Sequence, residues 1–318
     1  MPSKRPHGVL ALGWAAIESS ITGRTEHRPT SQDYPDSLVH RIQFDAGGGL
    51  GWKISAITTP RDKPAPWKIV VITGAPSWAE YWAPVLAALP LDRELVVVDR
   101  PGFAGSEPHD VVPDIRQQAL ALSPLMTTVP GQRLLLVGQS YGAAIATLMA
   151  DMRPKRLAGL VMLSSLLGEL GPTARWLVDM GERVAGLIPR DLRHAVMEVR
   201  GQREQLAQVR AALRSLNVPV HVIHGDQDDF APIEMAQQLA AETPTRRPIR
   251  FAAVPGANHF LNDGPAELVM EQLEACLPQP APAWFKVPRL SQLAWPKPAP
   301  VKRAPAKPVV SVVGGASA

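Results

Sequence analysis

Residues 134–142 read Leu-Leu-Leu-Val-Gly-Gln-Ser-Tyr-Gly, and residues 143–152 continue Ala-Ala-Ile-Ala-Thr-Leu-Met-Ala-Asp-Met. The first part is an apolar run with no polar alternation, the pattern of a strand covered on both faces. The second is rich in Ala, Leu and Met, which favour helix. Ser140 therefore falls on a sharp turn between a buried strand and a helix. Such a turn strains the backbone of its central residue. It also brings strand and helix so close that the residues two positions away must be small, as Gly138 and Gly142 are, with Ala143 and Ala144 beyond.

The same strand–helix rhythm extends outward from this turn. Further apolar runs lie at Lys68–Thr73, Glu94–Asp99, Leu157–Ser164, Val218–His224 and Ile249–Val254. Helical segments fall near 78–89, 113–129, 141–152, 233–242 and 265–277. Upstream, the runs Leu38–Phe44 and Trp52–Thr58 flank Asp45-Ala46-Gly47-Gly48-Gly49, a turn signal between two strands of an antiparallel hairpin. The expected fold is α/β: a mostly parallel twisted sheet with an N-terminal antiparallel hairpin, helices on both faces and an α-helical insertion. The insertion spans residues 165–217, where helical spacing over Thr173–Ala185 and Arg193–Leu216 replaces the strand rhythm. It reads as a lid over the carboxyl ends of the strands, where open α/β sheets bind ligands. The chain thus divides into an N-terminal extension (1–36), a core (37–164 and 218–278), a cap (165–217) and a tail (279–318).

The chain has 318 residues, 46% of them apolar, enough for a substantial core. The net charge of +4 does not describe a basic groove. Residues 279–318 hold six basic residues, eight prolines and no acidic ones, and setting those six aside leaves 27 basic residues against 29 acidic. The basicity belongs to an extended or disordered Pro-rich tail that reads first as a solvated segment and alternatively as a dock for an acidic partner, and nucleic acid is not an expected ligand. The single cysteine, Cys276, lies in an apolar helical stretch and reads as a small buried hydrophobe. A chain with one cysteine forms no internal disulfide, which suits a reducing, cytoplasmic location. No segment is apolar enough for a membrane span. Val9–Ile17 reads as a short helix rather than an export signal.

A serine hydroxyl is a weak nucleophile and needs a base, a group that orients the base, and N–H donors for the oxyanion it creates. Each has a candidate at a strand end. The donors are the backbone N–H of Tyr141, at the start of the helix, and of Ala75, in Gly74-Ala75-Pro76 after the first parallel run; Pro76 has no N–H. The base is His259, in Gly256-Ala257-Asn258-His259-Phe260. Of the eight histidines it alone lies on a strand-end loop downstream of an acid; His224 is a weaker rival. The acid is one of Asp226, Asp228 and Asp229, and spacing does not choose among them. Trp78, Phe103, Trp176 and Phe260 are candidates for an apolar substrate lining, and nothing in the sequence calls for a metal or a cofactor.

Taken in order, these segments resemble the α/β-hydrolase fold superfamily over roughly residues 38–278. The likeness rests on Gly-Gln-Ser140-Tyr-Gly, on Asp99-Arg-Pro-Gly-Phe-Ala-Gly-Ser106, on His224-Gly-Asp-Gln-Asp228 with Pro232 beyond, and on Gly-Ala-Asn-His259-Phe. The resemblance makes Asp228, last in the G-x-x-D pattern, the acid. It implies a Ser-His-Asp hydrolase that cleaves an ester-like small molecule through an acyl-enzyme. Alternative readings use the same trio for C–C hydrolysis, lyase or perhydrolase chemistry, or keep the pocket for non-catalytic ligand binding. Many relatives carry His-Gly where this chain has Thr73-Gly74, and a frequent glycine is replaced by Ala104.

Overall fold

The computed structural model describes residues 30–244, 248–261 and 266–277. The expected N-terminal helix and the Pro-rich tail lie outside those residues. Eight strands form one sheet: β1 (His40–Asp45), β2 (Lys53–Thr58), β3 (Trp67–Ile72), β4 (Arg93–Val98), β5 (Arg133–Gln139), β6 (Leu157–Leu163), β7 (Val220–Gly225) and β8 (Arg250–Val254). Their order is β1-β2-β4-β3-β5-β6-β7-β8. The β1–β2 hairpin is antiparallel and joins β4 antiparallel, while β4, β3, β5, β6, β7 and β8 run parallel.

The apolar runs are explained by what covers the sheet. Successive side chains of a strand point to opposite faces. In β3, Ile69 and Val71 join a cluster with Trp82, Val85, Leu86, Val269 and Leu273. Val70 and Ile72 join the other, with Ile115, Ala119, Ile145, Met149, Val209 and Leu213. A strand that feeds two cores is apolar at successive positions where both faces are covered, as Ile69–Ile72 are, and each such Val, Ile or Leu contributes about 1.5–3 kcal/mol on burial. The edge strand β8 departs from this rule: Ala252 and Ala253 are exposed, since β8 pairs with β7 alone.

The helices are α1 (Ala83–Ala87), α2 (Ile115–Ala121), α3 (Gly142–Asp151), α4 (Pro172–Arg183), α5 (Arg190–Gly201), α6 (Leu206–Ser215), α7 (Ile233–Glu242) and α8 (Ala266–Cys276). Two are shorter than the periodicity suggests. The segment expected over 113–129 is capped by Asp114, whose carboxylate accepts from Arg116 and Gln117 N–H, but stops at Ala121. Ser123-Pro124 then turns it into a 3-10 helix over Ser123–Met126, because a proline ring cannot continue the α-helical ladder. The single amphipathic helix expected over Arg193–Leu216 is two helices. Gly201, a poor helix former, ends α5, and the 3-10 turn Gln202–Gln205 separates it from α6. No described helix is long and apolar enough to cross a membrane.

Parallel strands end on one edge of a sheet. The loops after β3, β5, β6, β7 and β8 therefore emerge side by side at their carboxyl ends, and α4, α5 and α6 fill the connection between β6 and β7.

Candidate active site

Ser140 follows β5 directly and has φ of 52°. That left-handed backbone costs an L-residue about 1–2 kcal/mol, and local hydrogen bonds hold it. Ser140 N–H donates to Leu163 O at 2.8 Å, and its carbonyl accepts from Ala143 and Leu166 N–H at 3.1 and 3.2 Å. The two flanking glycines are required sterically. A Cβ on Gly142 would lie 2.2 Å from Ile72 O, and one on Gly138 would lie 2.5 Å from Ala143 Cα.

His259 Nε2 is 2.9 Å from Ser140 Oγ, and His259 Nδ1 is 2.8 Å from Asp228 Oδ2. A carboxylate only accepts, so Nδ1 carries the proton and donates it to Asp228. Nε2 is left as an acceptor for the serine hydroxyl. The other oxygen, Asp228 Oδ1, accepts Phe230 and Ala231 N–H, each at 2.9 Å. Burial works upward on the Asp228 carboxyl, but hydrogen bonds from His224, His259 and the Ala231 N–H outweigh it and hold the group well below the usual carboxylate range. The rival aspartates do other work. Asp226 accepts Gly256 N–H at 2.7 Å, and Asp229 accepts the Thr173 hydroxyl at 2.6 Å.

The Gly74–Ala75 segment lies against the serine. A Cβ on Gly74 would stand 3.0 Å from Ser140 Cβ, so a side chain there would push on the serine. Among the described residues, the Ala75 and Tyr141 N–H groups donate to no backbone carbonyl. Thr73, in place of the frequent histidine, donates its hydroxyl to Val98 O at 3.1 Å and hydrogen-bonds Ser77 Oγ, which accepts Arg100 N–H at 2.8 Å.

The four aromatic candidates are spread out. Phe260 packs edge-on against His259, with ring centroids 5.2 Å apart. Trp78 donates its indole N–H to Asp191 at 2.7 Å. Phe103 is fully buried beside Arg100, and Trp176, on α4, is 56% exposed.

Three further residues at the site, Phe230, Arg100 and Glu198, carry no signal of a role in the motifs, and His224 does more than its position suggested. Phe230 stacks on the His259 imidazole at 4.9 Å. Arg100 and Glu198 form a fully buried ion pair under the Gly74 loop. His224 is more than a rival base: its Nε2 is 3.0 Å from Asp228 Oδ2 and 2.7 Å from Ala231 O. The usable signal for Glu198 was a charge on the same helical face as His194 and Ala195, the other buried residues of α5.

Comparison with known proteins gives the same fold. The "Putative carbamate hydrolase RutD" of Pseudomonas savastanoi pv. phaseolicola is 26% identical over 218 residues, spanning 56% of this chain and 82% of the relative. A thermophilic esterase from Thermogutta terrifontis superposes with a TM-score of 0.55 at 18% identity, covering 75% of this chain and 99% of its own. The 2-hydroxy-6-oxo-6-phenylhexa-2,4-dienoate hydrolase of Rhodococcus sp. strain RHA1 does so with a TM-score of 0.55 at 16% identity, covering 75% and 99%. The model of the alpha/beta hydrolase family matches residues 69–272, from β3 into α8, and the chain belongs to that family.

Proposed function

We propose that the protein is a serine hydrolase that cleaves a small ester-like acyl compound, with Ser140 as nucleophile, His259 as base and Asp228 as the group that orients it. The observation that carries this reading is the hydrogen-bonded line from Ser140 Oγ through His259 to Asp228, at 2.9 and 2.8 Å, on a serine held at positive φ. Ser140 Oγ attacks the carbonyl carbon as His259 Nε2 takes its proton, and the carbonyl oxygen becomes an oxyanion facing the Ala75 and Tyr141 N–H groups. The intermediate collapses, His259 protonates the leaving group, and an acyl ester remains on Ser140. Water, deprotonated by His259, attacks that ester, and the proton returns to Ser140 as the acid departs. The buried Asp228 carboxylate keeps the imidazole in one tautomer and stabilises its cationic form.

The insertion over 165–217 acts as the lid that shapes the acyl pocket. Carbamates present the same carbonyl with a nitrogen leaving group, so the relationship to RutD makes them the first compounds to set beside short esters. A fluorophosphonate probe tests the reading. It labels wild type and not Ser140→Ala, and a well-folded wild type that resists labelling refutes the serine nucleophile. Turnover of short p-nitrophenyl esters then separates acyl hydrolysis from C–C cleavage.

A further inference from the structure

Arg100 and Glu198 are both fully buried, and nothing in the steps above uses them. Arg100 lies on the loop after β4 and Glu198 on α5, within the insertion. Their contact is bidentate, Nη1 to Oε1 at 2.9 Å and Nη2 to Oε2 at 2.8 Å. Nη1 also donates to Gln118 Oε1 at 2.8 Å, Nη2 to Gly74 O at 2.9 Å, and Nε to Thr73 O at 3.0 Å. Gln118 closes the ring by donating Nε2 to Glu198 Oε1 at 2.6 Å and to Val112 O at 2.6 Å. All five guanidinium N–H donors are thus engaged. A lysine, with three donors and no fork, cannot reproduce this set.

Gly74 O and Ala75 N–H belong to one peptide group. In a trans peptide the N–H points away from the C=O, so an arginine that pins the carbonyl also aims the N–H. A cation on the carbonyl further polarises the amide and strengthens it as a donor. The guanidinium also lies over the Tyr141 ring, 4.8 Å from Cζ to the centroid, so one side chain braces both residues to which the mechanism above assigns the oxyanion.

We infer that Arg100 is a positioning residue for the oxyanion donors, acting through the Gly74–Ala75 peptide, and that Glu198 makes this positioning depend on the seating of the insertion. The inference rests on the serine mechanism proposed above. When the insertion is seated, Glu198 holds the fork against Gly74. When it lifts, the guanidinium loses its counter-charge and the peptide its fixed direction.

The test uses the full chain and three variants: Arg100→Lys, Arg100→Gln and Glu198→Gln. Two constants are read on each folded variant. One is kcat and KM on a short p-nitrophenyl ester. The other is the inhibition constant of an aryl trifluoromethyl ketone. Ser140 Oγ adds to the ketone carbon, the carbonyl electron pair moves onto oxygen, and His259 keeps the serine proton, so the adduct reports oxyanion stabilisation directly. Complete loss of an oxyanion donor costs about 100–1000-fold in kcat. A misaimed donor loses part of that, so the Arg100 variants should lose about tenfold or more in kcat with KM within about twofold. Ketone affinity should fall by the same factor, and Glu198→Gln should show a smaller loss of the same kind. Damage confined to substrate packing would instead raise KM and leave kcat unchanged. If the Arg100 variants do not fold, Glu198→Gln decides by the same pair of constants. A folded variant with wild-type kcat and ketone affinity, or one that loses kcat while keeping ketone affinity, overturns the inference. A wild type that no fluorophosphonate labels is a separate failure, that of the serine reading itself.

Discussion

Asp228→Asn changes one atom of the site, and its effect can be followed bond by bond. In the native protein Oδ1 accepts two backbone N–H groups and Oδ2 accepts two imidazole N–H groups. An asparagine can place its oxygen on the Phe230 and Ala231 N–H groups, so the loop retains its shape. Its NH2 then faces His259 Nδ1 and His224 Nε2, donor against donor. His259 relieves the conflict by moving its proton to Nε2. That nitrogen is 2.9 Å from Ser140 Oγ and can no longer take the serine proton. The imidazolium formed during attack also loses its counter-charge in a buried site. A wrong tautomer of this kind lowers kcat by about 10⁴, or about 5.5 kcal/mol of barrier at about 1.4 kcal/mol per decade. Ester turnover by Asp226→Asn and Asp229→Asn should stay within about twofold of wild type, because those side chains accept from Gly256 N–H and the Thr173 hydroxyl, bonds an amide oxygen can also accept. The assay is kcat/KM on a p-nitrophenyl ester for the three variants, with circular dichroism to establish folding. Retention of more than about a tenth of wild-type activity by Asp228→Asn would refute the assignment. So would an equal fall in either neighbour.

Other consequences can be checked directly. The Asp228 carboxyl titrates below its unfolded value of about 3.9, so its stabilising contribution is full above about pH 4 and is lost as the pH falls further. The difference in urea midpoint between wild type and Asp228→Asn should therefore shrink between pH 6 and pH 2. Gly142→Ala places a methyl 2.2 Å from Ile72 O and 2.5 Å from Thr73 O, both backbone atoms. A cost of about 3 kcal/mol lowers the melting temperature by about 6–12 °C, and an unchanged melt contradicts the packing described. His224→Phe removes a donor to Asp228 and strands Ala231 O, so kcat should drop about tenfold, with His224→Gln recovering part of it. Burial pushes the Cys276 thiol up to about 12; native protein should resist Ellman's reagent, and unfolded protein should react with one equivalent.

The core of the fold was legible because β3, β5 and β6 carry apolar residues at successive positions, a signal that survives without knowledge of what covers each face. The turn at Ser140 was legible because Gly138 and Gly142 are steric requirements of the turn itself. The choice of Asp228 over Asp226 and Asp229 could not come from spacing, since all three sit on one loop and differ in which distant group they meet. Only the family likeness selected it. The break at Gly201 was missed because the spacing of apolar residues continues through it, while a 3-10 turn over Gln202–Gln205 interrupts the α-helix. The aromatic lining was least legible: Trp78, Phe103, Trp176 and Phe260 share a residue type, but tertiary packing sends one to a hydrogen bond with Asp191, one into the core, one to the surface and one onto His259.

The segment Asp99–Ser106 shows how a motif with no chemistry of its own can still govern the site. Asp99 Oδ1 accepts Ala79 N–H at 2.7 Å, and Oδ2 pairs with Arg41 at 2.8 Å. Ser106 donates to Asp99 O at 2.6 Å and accepts Ser55 N–H at 2.8 Å. The loop therefore joins the hairpin to the segment after Gly74. Its tight course puts Ala104 at φ of 45°, which accounts for the frequent glycine there. Asp191 of the insertion accepts from Ala104 N–H at 3.0 Å, and Arg100 grips the Gly74 carbonyl from the same loop. A site whose donors must hold their direction to within a few tenths of an ångström needs such support from behind. In this chain, one eight-residue loop ties the hairpin, the Gly74–Ala75 segment and the insertion to one another.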